Sequence, residues 1–294
     1  MAIRELSPQL ARRAQEEIFE KKSEIDGHIK ALRQWILKQS HLKARTDDQF
    51  LISFLRGTKY NQALARQKID LFFTMRSVLP EITKARDFRT MKLAKLLKLG
   101  TTIPLPDSTA GEDGPRIFLI RPGHYNPKEF DIVDIFKIYV LFTDFLLTEG
   151  RTNCTAEHFA QFKPDFVKKM THLCQDSSPI RPKGFHYVNT PDGFEFVFNM
   201  FKSFMSNEYK ELLFVHGYDL ESLYRYIPKR YLPTEYGGDA GSIASIIDYW
   251  CKRLLDNYES LAQWDEYGTN ELFRPGAPIT EETIMALPDA SSFF

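Results

Sequence analysis

Three short apolar runs in the second half of the chain alternate with helical segments, and this alternation limits the fold more than any other feature. Residues 117–120 are a continuous apolar run, which is typical of a strand buried on both faces. Residues 184–189 and 212–216 are the second and third runs, and apolar or amphipathic helices are predicted at 132–147 and 244–261. Strands separated by helices need crossover connections, so the pattern predicts an α/β fold with a parallel or mixed sheet.

The first hundred residues have a helical pattern instead. Apolar side chains recur at helical spacing through residues 10–39. A capping box at residues 46–49 opens a further helix, which Gly57 is expected to end. Residues 101–115 contain three prolines and two glycines, and they are predicted to form a linker or a long loop.

Charge and cysteine content exclude several classes of protein. The 39 Lys and Arg residues balance 39 Asp and Glu residues, so the chain lacks the global charge of a nucleic-acid-binding protein. The neutral total conceals a basic segment at residues 84–98, which would contact phosphates or a membrane surface or else form a solvated helix face. Three cysteines without a CxxC pair favour neither a disulfide framework nor a zinc site, and we expect a cytoplasmic protein without a leader or a membrane-spanning helix.

The sequence lacks the common catalytic signatures, among them the nucleophile elbow, the P-loop and the HExxH motif. His186 and His216 lie on two predicted strands, where they would form either a hydrogen-bonded pair or a metal or acid–base pair. Cys154 lies four residues from His158, which is weak support for a nucleophile. Asp144 lies in an apolar helix, where it would be paired or would point a polar group into a pocket. We therefore expect no enzyme activity, no metal and no cofactor.

An ordered set of motifs resembles the CRAL-TRIO lipid-transfer family. The motifs are residues 48–51, 54–56 and 59–60, followed by 162–166, 175–179, 183–191, 215–217, 232–238 and Trp250. The resemblance extends from about residue 25 to 265, and the order of the motifs is more specific than any one of them. The chain looks like an insect member of the branch that includes the α-tocopherol transfer protein and the cellular retinaldehyde-binding protein.

The resemblance implies three parts of the chain. Residues 1–100 would form an N-terminal helical bundle, and residues 101–265 would form the CRAL-TRIO lipid-binding domain. In that domain a mostly parallel sheet is the pocket floor, and a mobile helical lid at about residues 191–206 closes the pocket. Residues 266–294 would be an acidic C-terminal tail.

The resemblance also implies which residues line the pocket. The wall would consist of Phe136, Tyr139, Val140, Thr143, Phe162, Phe166, Met170, Leu173, Ile180 and Phe185. The lid would contribute one helix face, formed by Phe194, Val197, Phe198 and Phe201. Such a stripe is either ordinary core or the cover of a bound hydrocarbon.

The function implied is the binding of one small hydrophobic molecule and its transfer between membranes by a protein that is transiently associated with the membrane surface. Candidate ligands are a tocopherol (vitamin E), a retinoid, a carotenoid or a phospholipid. Some relatives also bind phosphatidylinositol bisphosphate at a basic patch. The matching positions here are Arg56, Arg181, Lys183 and Lys210, whereas Glu208 and Leu212 replace further basic residues.

The chain departs from the family pattern at residues 147–156, where a mostly polar segment replaces an expected apolar strand. The sheet would then be a shortened functional one, or the chain would be a splice form with impaired folding, or the sequence would contain an error.

Two other functions stay open. One is a membrane-associated regulatory or scaffold module without a transferred ligand, and the other is a hydrolase that uses His186 or His216.

Overall fold

Helices dominate the computed structural model, which describes residues 3–112, 114–121, 124–149, 164–190 and 194–286. The helices of the first hundred residues are α1 (Pro8–Ile18), α2 (Ile25–Leu37), α3 (Asp48–Gly57), α4 (Gln62–Val78), α5 (Pro80–Thr83) and α6 (Met91–Leu99). The later ones are α7 (Ile132–Glu149), α8 (Pro164–Thr171), α9 (Phe194–Phe204), α10 (Asn207–Lys210), α11 (Leu220–Tyr224), α12 (Ile243–Asp256), α13 (Tyr258–Ala262) and α14 (Glu281–Ala286). The predicted helices at 132–147 and 244–261 are confirmed as α7 and, in two pieces, α12 and α13.

Side-chain caps set the starts of the N-terminal helices. Helix α3 begins where it was predicted to begin, but the capping box of residues 46–49 does not form: the N-cap is Asp47, whose carboxylate accepts a hydrogen bond from the backbone N–H of Phe50 at 3.1 Å, and the side chain of Gln49 accepts from the N–H of Arg4 instead. The helix ends at Gly57, as expected, but the left-handed residues that follow are Lys59 (φ 50°) and Tyr60 (φ 62°). The need for a glycine at position 57 therefore has another cause, which is a close contact with the backbone of Pro179 in the second half of the chain.

Three two-stranded sheets are present in the described residues. Their strands are β1 (Leu42–Lys43), β2 (Thr102–Glu112), β3 (Arg116–Ile120), β4 (Phe185–Val188), β5 (Leu213–Gly217) and β6 (Gly268–Thr269). The pairs β1–β6 and β2–β3 are antiparallel, and β4–β5 is parallel. The three predicted strands are confirmed, and so is a crossover through α9 and α10 between two parallel strands. The single, mostly parallel sheet is not found in these ranges, because only one of the three pairs is parallel.

The prediction of a loop at 101–115 was wrong. Residues 102–112 are strand β2, which pairs with β3 from Thr102 opposite Ile120 and shifts register between Pro104 and Ser108. Proline lacks an N–H and is tolerated where a strand has only one hydrogen-bonded neighbour or a bulge. The carbonyl of Pro104 accepts a 2.5 Å hydrogen bond from the indole of Trp250, which ties β2 to α12.

The main core joins both halves of the chain. Phe50 of α3 lies 5.9 Å from the ring of Trp264, and both side chains are almost completely buried. Strands β1 and β6 pair Leu42 with Thr269, and the hydroxyl of Ser77 on α4 accepts a hydrogen bond from the Thr269 N–H at 2.7 Å. The segment after α13 therefore completes the packing of the first helices.

A buried carboxylate connects α7 to these helices. Asp144 has no exposed surface, and it accepts hydrogen bonds from Arg76 of α4 and, at 2.5 Å, from Arg86. Arg86 also reaches Asp265 at 3.4 Å, and the guanidinium of Arg76 lies 4.7 Å from the ring centre of Trp264. Asp144 is thus a paired structural group, which is one of the two expectations for it.

We expect Asp144→Asn to lower the free energy of unfolding by about 3–5 kcal/mol, because it leaves two buried guanidinium groups without their buried counter-charge and only Asp265, at 3.4 Å from Arg86, remains nearby. Urea denaturation followed by circular dichroism measures this change. Asp248→Asn, at an exposed position of α12, is the control and should change stability by less than about 0.5 kcal/mol. Equal stability of the two variants would show that the buried network is not needed.

Candidate functional site

The predicted pocket wall on α7 and α8 forms one apolar cluster. Val140 and Met170 are buried, and the ring centre of Phe136 lies 5.2 Å from that of Phe166. The members that the structure brings together are Phe136, Tyr139, Val140, Phe166, Met170 and Leu173. Thr143 is also buried, but its hydroxyl donates to the Tyr139 carbonyl of its own helix at 2.9 Å. The predicted residue Phe162 lies outside the described ranges.

Two elements that the sequence did not suggest close the other side of this cluster. Helix α4 supplies Leu71 and Met75, the residue after it is Leu79, and the C-terminal helix α14 supplies Ile284, which is 1% exposed. Lys168 donates a 2.6 Å hydrogen bond to the carbonyl of Met285, and Lys169 forms a salt bridge with Glu281. Part of the expected acidic tail thus packs against α8. Only the isolated apolar Ile279 and Ile284 among the acidic residues could have signalled this.

Helix α9 presents its aromatic face to strand β4. Phe194 and Phe201 are buried and Phe198 is half-buried, whereas Phe196 on the opposite face is 76% exposed. The ring of Tyr187 on β4 lies 5.3 Å from both Phe194 and Phe198. The predicted one-sided stripe is therefore confirmed for these three phenylalanines. The side chain of Val197 is outside the described part.

The last two wall residues lie elsewhere. Ile180 is buried in the main core, and Phe185 is half-buried with its ring 6.0 Å from that of Tyr209 on α10. Strand β4 therefore places Phe185 against the segment after α9. The cluster on α7 and α8 does not include either residue among the described contacts.

A close backbone contact brings the end of α3 against residues 179–181. A Cβ atom at Gly57 would lie 2.4 Å from the carbonyl oxygen of Pro179, a distance that no side chain tolerates. The glycine is therefore needed for this approach. Between the two segments lies a cavity of about 430 Å³, with Lys59, Lys68 and Arg181 in its wall.

Lys68 of α4 links the N-terminal helices to residues 175–178, beside this cavity. Its ammonium group donates to the carbonyls of Gln175 at 3.1 Å, Asp176 at 2.9 Å and Ser178 at 3.2 Å. Burial lowers the pKa of Lys68 to about 8, although the charges of Asp176 and Glu208 act in the opposite direction. Lys68 could not be found from the sequence, because its carbonyl partners are more than a hundred residues away and leave no local pattern.

Three of the four predicted phosphoinositide-binding cations lie beside the end of α1. Arg56 makes two hydrogen bonds with Glu20, at 2.8 and 3.0 Å, and Lys183 lies 3.9 Å from Glu17. The charge of Arg181 also acts on Glu17. The fourth, Lys210, is half-buried on α10, where its ammonium group lies 3.5 Å from the side-chain oxygen of Asn207. We call Arg56, Arg181 and Lys183 the basic border.

The basic segment 84–98 has mostly internal partners instead. Helix α6 begins only at Met91, Arg86 is buried against Asp144, and Lys92 pairs with Asp134 of α7 at 2.6 Å. Because Arg86 and Lys92 are already paired with carboxylates of the same chain, these contacts favour a structural role for the segment over phosphate binding.

The two strand histidines form the hydrogen-bonded pair expected as one alternative. His186 Nδ1 lies 3.0 Å from His216 Nε2, and His216 Nδ1 lies 2.6 Å from the hydroxyl of Ser222. That hydroxyl donates to the carbonyl of Asp219 at 2.9 Å, so His216 Nδ1 must carry a proton and donate to it, and this nitrogen has no lone pair to accept the Ser222 proton. The arrangement therefore does not activate Ser222 as a nucleophile. Within the described ranges, no group of three or more His, Cys, Asp or Glu side chains could hold a metal ion.

Burial lowers the pKa of His186 to about 4, and the nearby His216 contributes to the same shift. Between about pH 6.5 and 4 the unfolded chain would bind a proton here that the folded chain does not, so stability falls as the pH falls across this window. We expect His186→Gln to reduce the loss of unfolding free energy between neutral pH and about pH 4.5. Urea denaturation at the two pH values measures this difference. His28→Gln, outside the pair, should keep the wild-type pH dependence, and an unchanged dependence in His186→Gln would contradict the assignment.

No described helix is both long and apolar enough to cross a bilayer.

Comparison with known proteins gives the same relationship as the motifs. Residues 108–238 match the model of the CRAL/TRIO domain, and residues 21–93 match that of the Pinta-like UBA domain. The "Alpha-tocopherol transfer protein-like" protein of Mus musculus is 30% identical over 254 residues, which are 81% of this chain and 72% of that protein. "Clavesin-2" of Rattus norvegicus is 25% identical over 312 residues, with 98% and 92% covered.

A solved structure, "Crystal structure of Sfh5", aligns with a TM-score of 0.44 at 13% identity, over 86% of this chain and all of that one. This likeness is too distant to bear on the site. The match to the CRAL/TRIO domain model and the 30% identity to the mouse protein over 81% of this chain establish the family. The chain belongs to the CRAL-TRIO family, whose members bind and transfer lipophilic ligands.

Proposed function

We propose that this chain holds one small hydrophobic molecule beneath α9 and delivers it to a membrane. The observation that carries the proposal is the two-sided character of α9, with Phe194 and Phe198 against Tyr187 of β4, Phe201 buried and Phe196 facing out. A tocopherol is the first candidate ligand, because the mouse relative's name includes it. Retinoids, carotenoids and phospholipids are the other candidates.

Burial of apolar surface supplies enough free energy for this role. A ligand that removes about 400 Å² of apolar surface from water gains about 10 kcal/mol at roughly 25 cal/mol per Å². Part of that gain offsets the lost freedom of the ligand, and the remainder sets the affinity. An apolar wall such as the α7–α8 cluster is typical of sites for such ligands.

Release would follow from movement of α9 as a lid. Detachment of the helix from Tyr187 exposes a phenylalanine face, which costs free energy in water. A bilayer interface accepts that face, because an amphipathic helix buries its apolar side there. The membrane thus lowers the free energy of opening and couples ligand exchange to contact with a bilayer.

We expect Phe198→Asp to reduce ligand uptake at least tenfold, because a carboxylate on the inner face of α9 cannot be buried against an apolar molecule. Native mass spectrometry of the purified chain, followed by organic extraction, detects and identifies the bound lipid. Phe196→Asp makes the same chemical change on the exposed face and should retain wild-type occupancy. Thermal denaturation of both variants verifies that they are folded.

A wild-type chain that is folded and empty would contradict the transfer function and favour the regulatory or scaffold module. Equal occupancy of the two phenylalanine variants would show that α9 does not cover the ligand. Turnover of an ester substrate that His186→Ala abolishes would instead favour the hydrolase.

We also propose that the basic border docks the chain on anionic lipids, with phosphatidylinositol bisphosphate as the first candidate. Guanidinium and ammonium groups bind phosphate through charge-assisted hydrogen bonds. The cavity beside Arg181 offers room for a headgroup, but Glu208 and Leu212 in its wall supply no positive charge. The docking therefore depends on few cations.

Each cation near an anionic surface contributes about 1 kcal/mol, so reversing Arg181 and Lys183 to Glu should weaken vesicle binding by about 30-fold or more. Sedimentation with phosphatidylcholine vesicles, with and without phosphatidylinositol bisphosphate, measures the affinity. Lys252→Glu combined with Lys229→Glu makes the same charge change elsewhere and should have a smaller effect. Binding that is insensitive to both salt and the border substitutions would contradict docking at this surface.

A further inference from the structure

The phosphate-binding fork of Arg56 is already occupied by a carboxylate of the same chain. Glu20 accepts hydrogen bonds from Nε of Arg56 at 2.8 Å and from Nη2 at 3.0 Å, and a third from the hydroxyl of Tyr60 at 2.8 Å. A bidentate contact of this kind uses the same two donors that a phosphate would use. Glu20 and a lipid phosphate therefore cannot bind that side of Arg56 together.

A second carboxylate faces the other two cations of the basic border. Glu17 lies 3.9 Å from the ammonium group of Lys183. The pKa of Glu17 is lowered mainly by the hydrogen bond from Arg13, and the charges of Lys183 and Arg181 lower it further. Because both residues act on one carboxylate, Arg181 and Lys183 share it as a counter-charge.

The backbone between the two carboxylates is in an unfavourable conformation. Phe19 ends α1 with φ 59°, in the left-handed region that side chains other than glycine rarely adopt, and its ring is 75% exposed. This turn directs the chain from α1 back toward Arg56. The buried side chain of Ile18 keeps α1 docked just before it. Relaxation of the turn would favour release of Glu20.

We propose that residues 17–20 are an intramolecular competitor for the basic border, and that binding to an anionic membrane requires their displacement. The inference rests on the docking role proposed for the border and adds its regulation. Glu17 and Glu20 offset part of the positive charge of the three cations away from the membrane, where these cations would otherwise attract any anion. At a surface rich in lipid phosphates, the higher local concentration of anions displaces the two carboxylates.

The test compares the binding of two double variants to the same vesicles. Glu17→Gln with Glu20→Gln removes the competing charges and keeps the side-chain shape. Glu16→Gln with Glu24→Gln is the matched control, because those carboxylates pair with Arg12 and Lys21 on exposed positions. We expect the first variant to bind vesicles containing phosphatidylinositol bisphosphate about fivefold more tightly than wild type, and the control to bind like wild type.

Four outcomes would contradict the proposal that residues 17–20 compete for the basic border. Equal gains in the two double variants would reflect net charge alone. No gain in the first variant, while border reversal still abolishes binding, would reject the competitor and retain the docking. No binding of any variant, the wild type included, would reject the docking and the competitor together. A gain on pure phosphatidylcholine vesicles would also count against it.

Amide hydrogen exchange is a second measurement, and membrane binding would leave the exchange rate unchanged if the salt bridge were purely structural. By linkage, a membrane that binds the border must loosen the segment that competes for it. We expect anionic vesicles to accelerate exchange in α1 of the wild type, but not vesicles of phosphatidylcholine alone. Unchanged exchange during demonstrated binding would overturn the proposal. The same acceleration by a soluble inositol phosphate would overturn the requirement for a membrane.

Discussion

The packing of the molecule depends on one buried negative charge. Asp144 is removed from water and would carry a large desolvation penalty if Arg76 and Arg86 did not donate to it. These two arginines belong to the N-terminal half, and Asp144 belongs to the long apolar helix of the second half. The charge therefore fixes the rotation of α7, and with it the side on which Phe136 and Val140 meet α8.

A carboxylate–guanidinium contact at the surface has a different consequence. The contact between Arg56 and Glu20 is partly exposed, so the loss of the Glu20 carboxylate to water or to another anion has a moderate cost. The network around Asp144 offers no such exchange, because removal of a partner leaves a charge in the core. Carboxylate–guanidinium contacts thus hold the two halves together in the core, and they also occur at the partly exposed surface where the proposed exchange with a lipid phosphate would take place. Burial alone separates the two uses.

The sequence predicted the elements whose pattern is local. The apolar runs identified β3, β4 and β5, and the spacing of phenylalanines identified the inner face of α9. The prolines of residues 101–115 concealed β2, since a strand at an edge tolerates residues that normally indicate a loop. Lys68 could not be found because its three carbonyl partners are distant in sequence. For Asp144 the pattern allowed either a partner or a polar group in a pocket, and the two arginines that decide between these are likewise distant in sequence.

The short pairing of β1 with β6 has a consequence for synthesis on the ribosome. Leu42 needs Thr269 as its strand partner, and the carbonyl of His41 accepts a hydrogen bond from the N–H of Asn270. The first helices therefore emerge long before the segment that completes them. Until about residue 270 has left the exit tunnel, apolar residues such as Phe50 lack the cover of Trp264. Such late long-range contacts slow folding and prolong the time during which chaperones can bind the nascent chain.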